Sequence, residues 1–224
     1  ARGNLESVTD PRGFTTAYEY DAKNRLVRIT DPDDNSSYIE YSAAGYETER
    51  RDELGVRTVY VYDQRGYRTE TREAVGTSVA RVSTKGYDAV GNVVLEVDPL
   101  LRQTTFVYDT RDRLVQKTDP LLRSSYYVYN ESDQLIAETD GAGRTTHYEY
   151  DELGNRVTVI GPMGITTRYV YDKSGELLSV TDQLSHTTTY AYDPNLRRRT
   201  VTDAASETVV TDYDAAGNVI AETN

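Results

Sequence analysis

A tyrosine followed by a turn returns along this chain at a nearly fixed interval. The anchors are Tyr20, Tyr41, Tyr62, Tyr87, Tyr108, Tyr129, Tyr150, Tyr171, Tyr192 and Tyr213. They stand 21 residues apart throughout, except that Tyr62 and Tyr87 are 25 apart. Ten copies in register make residues 1–224 one repeat array, with a four-residue insertion in the segment around 73–86. A unit this short cannot bury a core alone, so each copy has to lean on its neighbours.

Aligning the copies gives every column a role. Two residues before the anchor stands another aromatic in most copies: Tyr18, Tyr60, Phe106, Tyr127, Tyr148, Tyr169 and Tyr190. Four before it is usually Thr or Ser, as in Thr16, Ser37, Thr104, Thr146 and Thr188. That period of two places Thr, Tyr and Tyr on one face of a β-strand. Asp follows the anchor at Asp21, Asp63, Asp88, Asp109, Asp151, Asp172, Asp193 and Asp214. Its carboxylate can accept its own downstream amides in an Asx-turn. Three residues further on comes Gly45, Gly66, Gly91, Gly154, Gly175 or Gly217, with Asn24, Asp112 and Asp133 as substitutes. These residue types tolerate the positive φ of a short hairpin loop with a bulge.

The next strand reads LVRIT (26–30), LVQKT (114–118), LIAET (135–139), LLSVT (177–181) or VIAET (219–223). It runs into a second turn, commonly Thr-Asp-Pro, whose proline presets φ at the second turn position. Each repeat is thus two strands and two turns, an all-β plan of tandem hairpins. Equivalent tyrosines are expected to stack as ladders across adjacent hairpins, and the insertion is expected to lengthen a loop.

Composition agrees with strands more than with a dense core. Only 37% of residues are apolar, Tyr supplies 20 of 22 aromatics, and the net charge is −12. Disorder is disfavoured by the wealth of Tyr, Thr and Val. The acidic balance disfavours nucleic acid, which is bound through Lys and Arg on phosphates. Without cysteine there is neither a disulfide framework nor thiolate chemistry. No run approaches the roughly 18 apolar residues of a membrane span. The first residue is Ala1 and not Met, which suggests a fragment or a trimmed product.

A 21-residue unit of the form YDxxGNLxxxTDPxGxxTxYxY resembles the RHS or YD repeat. That repeat occurs in bacterial Rhs polymorphic toxins, in the B and C components of Tc insecticidal toxins, in wall-associated bacterial toxins and in animal teneurins. The resemblance runs from Asn4-Leu5 to Thr223. It implies one long, curved antiparallel sheet winding into a hollow shell that encloses a toxin domain. The RHS-associated core segment is not visible after Tyr213, so a stretch of wall is expected. At about 4.8 Å per strand, some twenty strands make roughly 95 Å of sheet, less than a full turn of such a shell. Unpaired edge strands would then offer a route to self-association.

Reactive constellations are expected to be absent. His147 and His186 stand in different repeats without metal-ligand spacing, and DPDDN (31–35) lacks the Gly and Glu of a calcium loop. GPMG (161–164) and VGNV (90–93) read as turn glycines, and no nucleophile elbow exists. NSS (35–37) and NES (130–132) match the glycosylation sequon by letters only. The expectation is a non-catalytic structural segment without cofactor or metal, exported or displayed at a bacterial surface. Its partners are then the rest of the shell and an enclosed toxin. The rival reading is a module that binds carbohydrate or a cell surface through exposed Tyr. An enzyme would need a unique polar cluster, for which the irregular 73–86 segment is the candidate place.

Overall fold

The computed structural model describes residues 3–193 and 197–224. Its strands are β1 (Ser7–Thr9), β2 (Thr15–Tyr20), β3 (Leu26–Thr30), β4 (Ser36–Tyr41), β5 (Glu47–Arg51), β6 (Arg57–Tyr62) and β7 (Arg68–Val75). There follow β8 (Arg81–Tyr87), β9 (Val93–Val97), β10 (Gln103–Tyr108), β11 (Leu114–Thr118), β12 (Ser124–Tyr129), β13 (Leu135–Thr139) and β14 (Thr145–Tyr150). The last are β15 (Arg156–Ile160), β16 (Thr166–Tyr171), β17 (Leu177–Thr181), β18 (Thr187–Asp193), β19 (Arg198–Thr202), β20 (Thr208–Tyr213) and β21 (Val219–Thr223). A 3-10 turn at Pro162–Gly164 is the one helical element among the described residues, and no helix there is long and apolar enough to cross a membrane. The fold is all-β, an antiparallel sheet of 21 strands.

Two compact units divide the chain, the first of residues 1–113 with 118–121 and the second of 114–117 with 122–224. In each, a strand pairs with the strand before and the strand after it. The first meanders from β1 to β10, with Tyr18 opposite Ile29 and Ile39 opposite Arg50. The second meanders from β12 to β21, with Tyr148 opposite Val159 and Tyr169 opposite Val180. Pairing slips by one residue just before an anchor tyrosine, between Glu19 and Tyr20, Glu40 and Tyr41, Glu149 and Tyr150, and Val170 and Tyr171. Such a bulge follows from the positive-φ residue that closes the turn, which adds one residue to one strand.

The expected alternation is present. On β16, Thr167, Tyr169 and Tyr171 are half-buried, whereas Arg168 and Val170 face solvent. Among the described residues, Ile39 at 8% exposure is the sole buried apolar side chain. Stability therefore rests on cross-strand neighbours, each pair contributing about 0.2–1 kcal/mol, and not on a sealed interior. On the opposite face, pairs of hydroxyls bridge the strand ends: Thr9 to Thr15 at 2.8 Å, Thr139 to Thr145 at 2.9 Å and Thr181 to Thr187 at 2.9 Å.

Two expectations need revision. Equivalent tyrosines do not stack on one another, because successive copies of a column lie two strands apart, about 9.6 Å, beyond ring contact. The stacked pairs are instead Tyr46 with Tyr62 at 5.0 Å and Tyr67 with Tyr87 at 4.9 Å. Here a tyrosine just after one turn lies against the anchor of the next repeat. The extra residues of the third copy go largely into strand, since β7 has eight residues and β8 seven. A second slip, between Arg57 and Val59 on β6, absorbs part of the added length.

Tyr46 and Tyr67 also explain two glycines. Gly66 and Gly91 have φ of +90° and +104°, and a Cβ on either would run into the hydroxyl of Tyr46 or Tyr67. Gly13 has the same φ of +90° but open space around it. Replacing Gly13 with Ala is expected to cost about 1 kcal/mol for the left-handed backbone alone. Gly66→Ala must also unseat Tyr46 and should cost at least twice as much in urea denaturation. Equal losses at the two positions would show that the seat under Tyr46 contributes nothing.

Candidate functional site

The feature repeated most faithfully is the turn, and it is built the same way at both ends of the hairpins. At Asp151 the backbone amide donates to the Asn155 carbonyl at 3.0 Å, and the Gly154 amide donates back to the Asp151 carbonyl at 3.1 Å. This is a three-residue loop, a type I turn closed by a left-handed residue. Asp151 Oδ1 accepts the amides of Leu153 and Asn155 at 3.0 and 2.8 Å, and its Oδ2 accepts Asn155 Nδ2 at 3.0 Å. One carboxylate thereby satisfies two backbone donors and one side chain.

The same clasp recurs at the aspartates expected from sequence. Asp21 takes the amides of Lys23 and Arg25, Asp63 those of Arg65 and Tyr67, and Asp88 those of Val90, Gly91 and Asn92. Asp109 takes those of Arg111 and Arg113, Asp172 those of Ser174 and Glu176, and Asp214 those of Ala216 and Asn218. Asp193 ends β18, with residues 194–196 outside the described set. The left-handed position falls on Gly66, Gly91, Gly154, Gly175 and Gly217, and on Asn24, Asp112 and Asp133.

Sequence reasoning missed the extent of this device. It treated the Thr-Asp-Pro turns as the work of proline, yet Asp31, Asp52, Asp98, Asp140, Asp182 and Asp203 make the identical two-amide clasp. The signal was present, since Asp opens these turns whether or not Pro follows. It also overlooked the residue four after the Asp, whose side chain completes the clasp: Arg25 at 2.7 Å, Arg102 at 2.6 Å, Arg113 at 2.8 Å and Arg144 at 2.7 Å.

The anchor tyrosines reach backward. The hydroxyls of Tyr20 and Tyr41 donate to the carbonyls of Leu5 and Leu26, each at 3.0 Å. Those of Tyr108, Tyr150 and Tyr171 donate to Val93, Leu135 and Arg156 at 3.1, 2.8 and 3.3 Å. From Tyr41 onward these acceptors open the preceding strand, beside its bulge, where the ladder leaves backbone groups short of partners. Tyr87 binds Arg68 in the same way at 2.9 Å. Tyr62 stacks on Tyr46 instead, while the hydroxyls of Tyr192 and Tyr213 bind no carbonyl among the described residues.

Other polar groups are scattered. His147 is exposed on β14, and His186 lies in a turn with Nδ1 3.0 Å from Asp182. On the first unit Glu49 is gripped by Arg57 at 2.8 and 2.5 Å and by Arg51 at 3.0 Å.

A family model of the RHS repeat matches residues 1–36, 87–122, 129–166 and 171–208, more than half of the chain. The chain belongs to the RHS-repeat family. The longest unmatched stretch, 37–86, holds Ser42 in place of the turn Asp and the enlarged β7–β8 hairpin. No curated protein matches the array by sequence. Among solved structures it is similar to TcdB2-TccC3 without its hypervariable C-terminal region, with a TM-score of 0.68 over 96% of the array at 13% identity. TcdB2-TccC3-TEV gives 0.67 over the same share, also at 13% identity. At that identity the shared property is the fold. The array spans 14% and 15% of those two chains, respectively.

Two measurements follow from this geometry. Tyr150→Phe removes a hydroxyl that caps a strand carbonyl and is expected to cost about 0.5–1.5 kcal/mol. Tyr62→Phe, whose hydroxyl caps none, should be nearly neutral in the same denaturation assay. The second concerns acid. The Arg113 guanidinium, with the amides of Arg113 and Arg111, outweighs burial and draws Asp109 from 3.8 to about 2. Arg57 and Arg51 draw Glu49 from 4.5 to about 2. Lowered folded-state values mean that the unfolded chain binds more protons, so this stability is complete above about pH 4.5 and is lost as the pH falls toward 2. The thermal midpoint should drop across that window, with a shallower slope in Asp109→Asn. A midpoint unchanged from pH 5 to 2.5 would refute the clasp as a titrating element.

Proposed function

We propose that the array is a non-catalytic wall segment of an RHS shell, enclosing and shielding a toxin or other cargo domain. The observation that carries this reading is where the repeated polar groups spend their hydrogen bonds. Turn carboxylates bind their own loop amides, and anchor hydroxyls bind strand carbonyls. The set Tyr-Asp-x-x-Gly, from Tyr20 and Asp21 to Asp214 and Gly217, then serves the sheet and not a substrate, the hydroxyls of Tyr192 and Tyr213 excepted. Family membership and the fold shared with TcdB2-TccC3 support the same role. Partners on this reading are further RHS wall and the enclosed domain, and the setting is an exported or surface-displayed bacterial protein.

The carbohydrate reading requires exposed tyrosine platforms. The tyrosines of the anchor face are half-buried apart from Tyr192, and the other exposed ones are Tyr38, Tyr46 and Tyr126. Tyr46 is stacked on Tyr62 and Tyr38 is covered by the Arg28 guanidinium 5.4 Å from its ring. That leaves too few free faces to favour sugar stacking over a wall.

Small-angle scattering with sedimentation tests the proposal on the chain itself. A compact domain of this length would have a radius of gyration of about 17 Å. An open piece of wall should exceed that clearly and gain mass with concentration through its edge strands, β1 and β21. A compact particle, monomeric at every concentration, would overturn the wall reading in favour of a self-contained domain.

A further inference from the structure

The rules of the repeat lapse once within the second unit. β18 and β19 pair in straight register from Thr189 with Thr202 to Asp193 with Arg198, without the slip seen before Tyr150 or Tyr171. Tyr192 therefore stands opposite Arg199, and Arg199 opposite Thr211 on β20. Directly opposed residues share a face, so these three form a row on the tyrosine face. The positions held one repeat earlier by Glu176, Leu177 and Leu178 are here Arg197, Arg198 and Arg199.

Only one of the three arginines is committed. Arg198 grips Asp212 with two hydrogen bonds of 2.7 and 3.0 Å. Arg197 and Arg199 have no ionic partner among the described residues. Arg199 Nε is buried without an acceptor, and the Oγ1 of its neighbour Thr211, a residue 2% exposed, is buried without a partner as well. Buried polar groups are normally satisfied, and two unsatisfied atoms on paired residues mark this row as a departure from the regular repeat. The hydroxyls of Tyr192 and Tyr213 likewise lack the strand carbonyl that Tyr150 and Tyr171 bind. Tyr192, Arg197, Arg199 and Tyr213 line a cavity of about 390 Å³, with Glu176, Asp193 and Arg198 completing its wall.

We infer that this cavity is an oxyanion-binding site, taking a carboxylate or a phosphate group. Arg199 would hold the anion through the paired Nη1 and Nη2 groups at the end of its guanidinium, a fork that grips two oxygens at once. Arg197 adds a second positive charge, and the tyrosine hydroxyls donate from the flanks. Glu176 and Asp193 on the rim restrict the site to a compact anion whose charge reaches Arg199. The inference stands apart from the wall reading, since it depends on the irregular repeat and not on the regular ones.

The test is a titration of the whole chain with acetate and, separately, with inorganic phosphate at constant ionic strength set by chloride, followed through the arginine Nε–H signals by NMR. A saturable shift of the Arg199 signal is expected, and the anion giving the lower midpoint identifies the preferred source. Arg199→Lys keeps the charge but loses the two-point grip, and should weaken binding at least tenfold. Arg168→Gln, a charge loss on the opposite face of β16, should leave the midpoint unchanged. Tyr213→Phe should weaken binding severalfold while preserving the sheet, which guards against an Arg199 variant that does not fold. Shifts that stay linear for both anions in the unaltered protein, or an Arg168→Gln loss equal to that of Arg199→Lys, would overturn the site.

Discussion

Hairpins of this array turn on a left-handed residue, and where the turn follows an anchor tyrosine such as Tyr20, Tyr41, Tyr150 or Tyr171 the pairing slips by one residue. The slip leaves backbone amides in the loop and a carbonyl beside the bulge without ladder partners. Unpaired groups of this kind are costly away from water. The sheet meets the demand with two side chains, an aspartate that gathers the loop amides and a tyrosine from the neighbouring strand that reaches the carbonyl. With those two in place the same turn recurs at both ends of the regular hairpins, whereas the enlarged β7–β8 hairpin closes on Ala74 and Thr77 without an aspartate.

This explains how so polar a sequence orders itself. A layered protein would hide its apolar residues between two surfaces, and here, among the described residues, Ile39 is the one apolar side chain that is hidden. What substitutes for an interior is local and cumulative: Tyr against Ile or Val across pairs such as β2–β3, β14–β15, β16–β17 and β18–β19, paired threonine hydroxyls at the strand ends, and guanidinium groups over tyrosine rings, as with Arg25 on Tyr41 at 4.5 Å. Stability of this kind is a sum of nearest-neighbour terms. A broken turn is therefore felt by its own repeat and the next, and little beyond.

Much of this was legible in the sequence because the periodicity states it ten times over. The strands LVRIT and LIAET, the shared face of Thr146, Tyr148 and Tyr150, and the left-handed turn glycines all follow from spacing and residue type. What stayed hidden has physical causes. Leu101, Leu122 and Met163 adopt φ of +62°, +61° and +65° although nothing in their side chains favours it. The conformation is imposed by the hydrogen-bond pattern of the turn, which accepts a cost of about 1 kcal/mol per residue. The stacking of Tyr46 and Tyr67 on later anchors could not be foreseen either, because it depends on which glycine lies beneath each ring. Nor does any motif mark Arg199, whose interest comes from a register that fails to slip.

The tie between Tyr87 and Arg68 carries one further consequence. Tyr108, Tyr150 and Tyr171 each reach 15 residues back, whereas Tyr87 reaches 19, across the insertion, to the same place at the head of the preceding strand. The bond is thus specified by position in the sheet and is indifferent to how much chain lies between. A polymer joined by such links has modular length: whole units can be added, removed or enlarged at a hairpin tip without readjusting the rest. Selection can then set the extent of the sheet by duplication and deletion, and can place novelty such as the arginine-rich ninth copy in one unit while the others keep the surface intact.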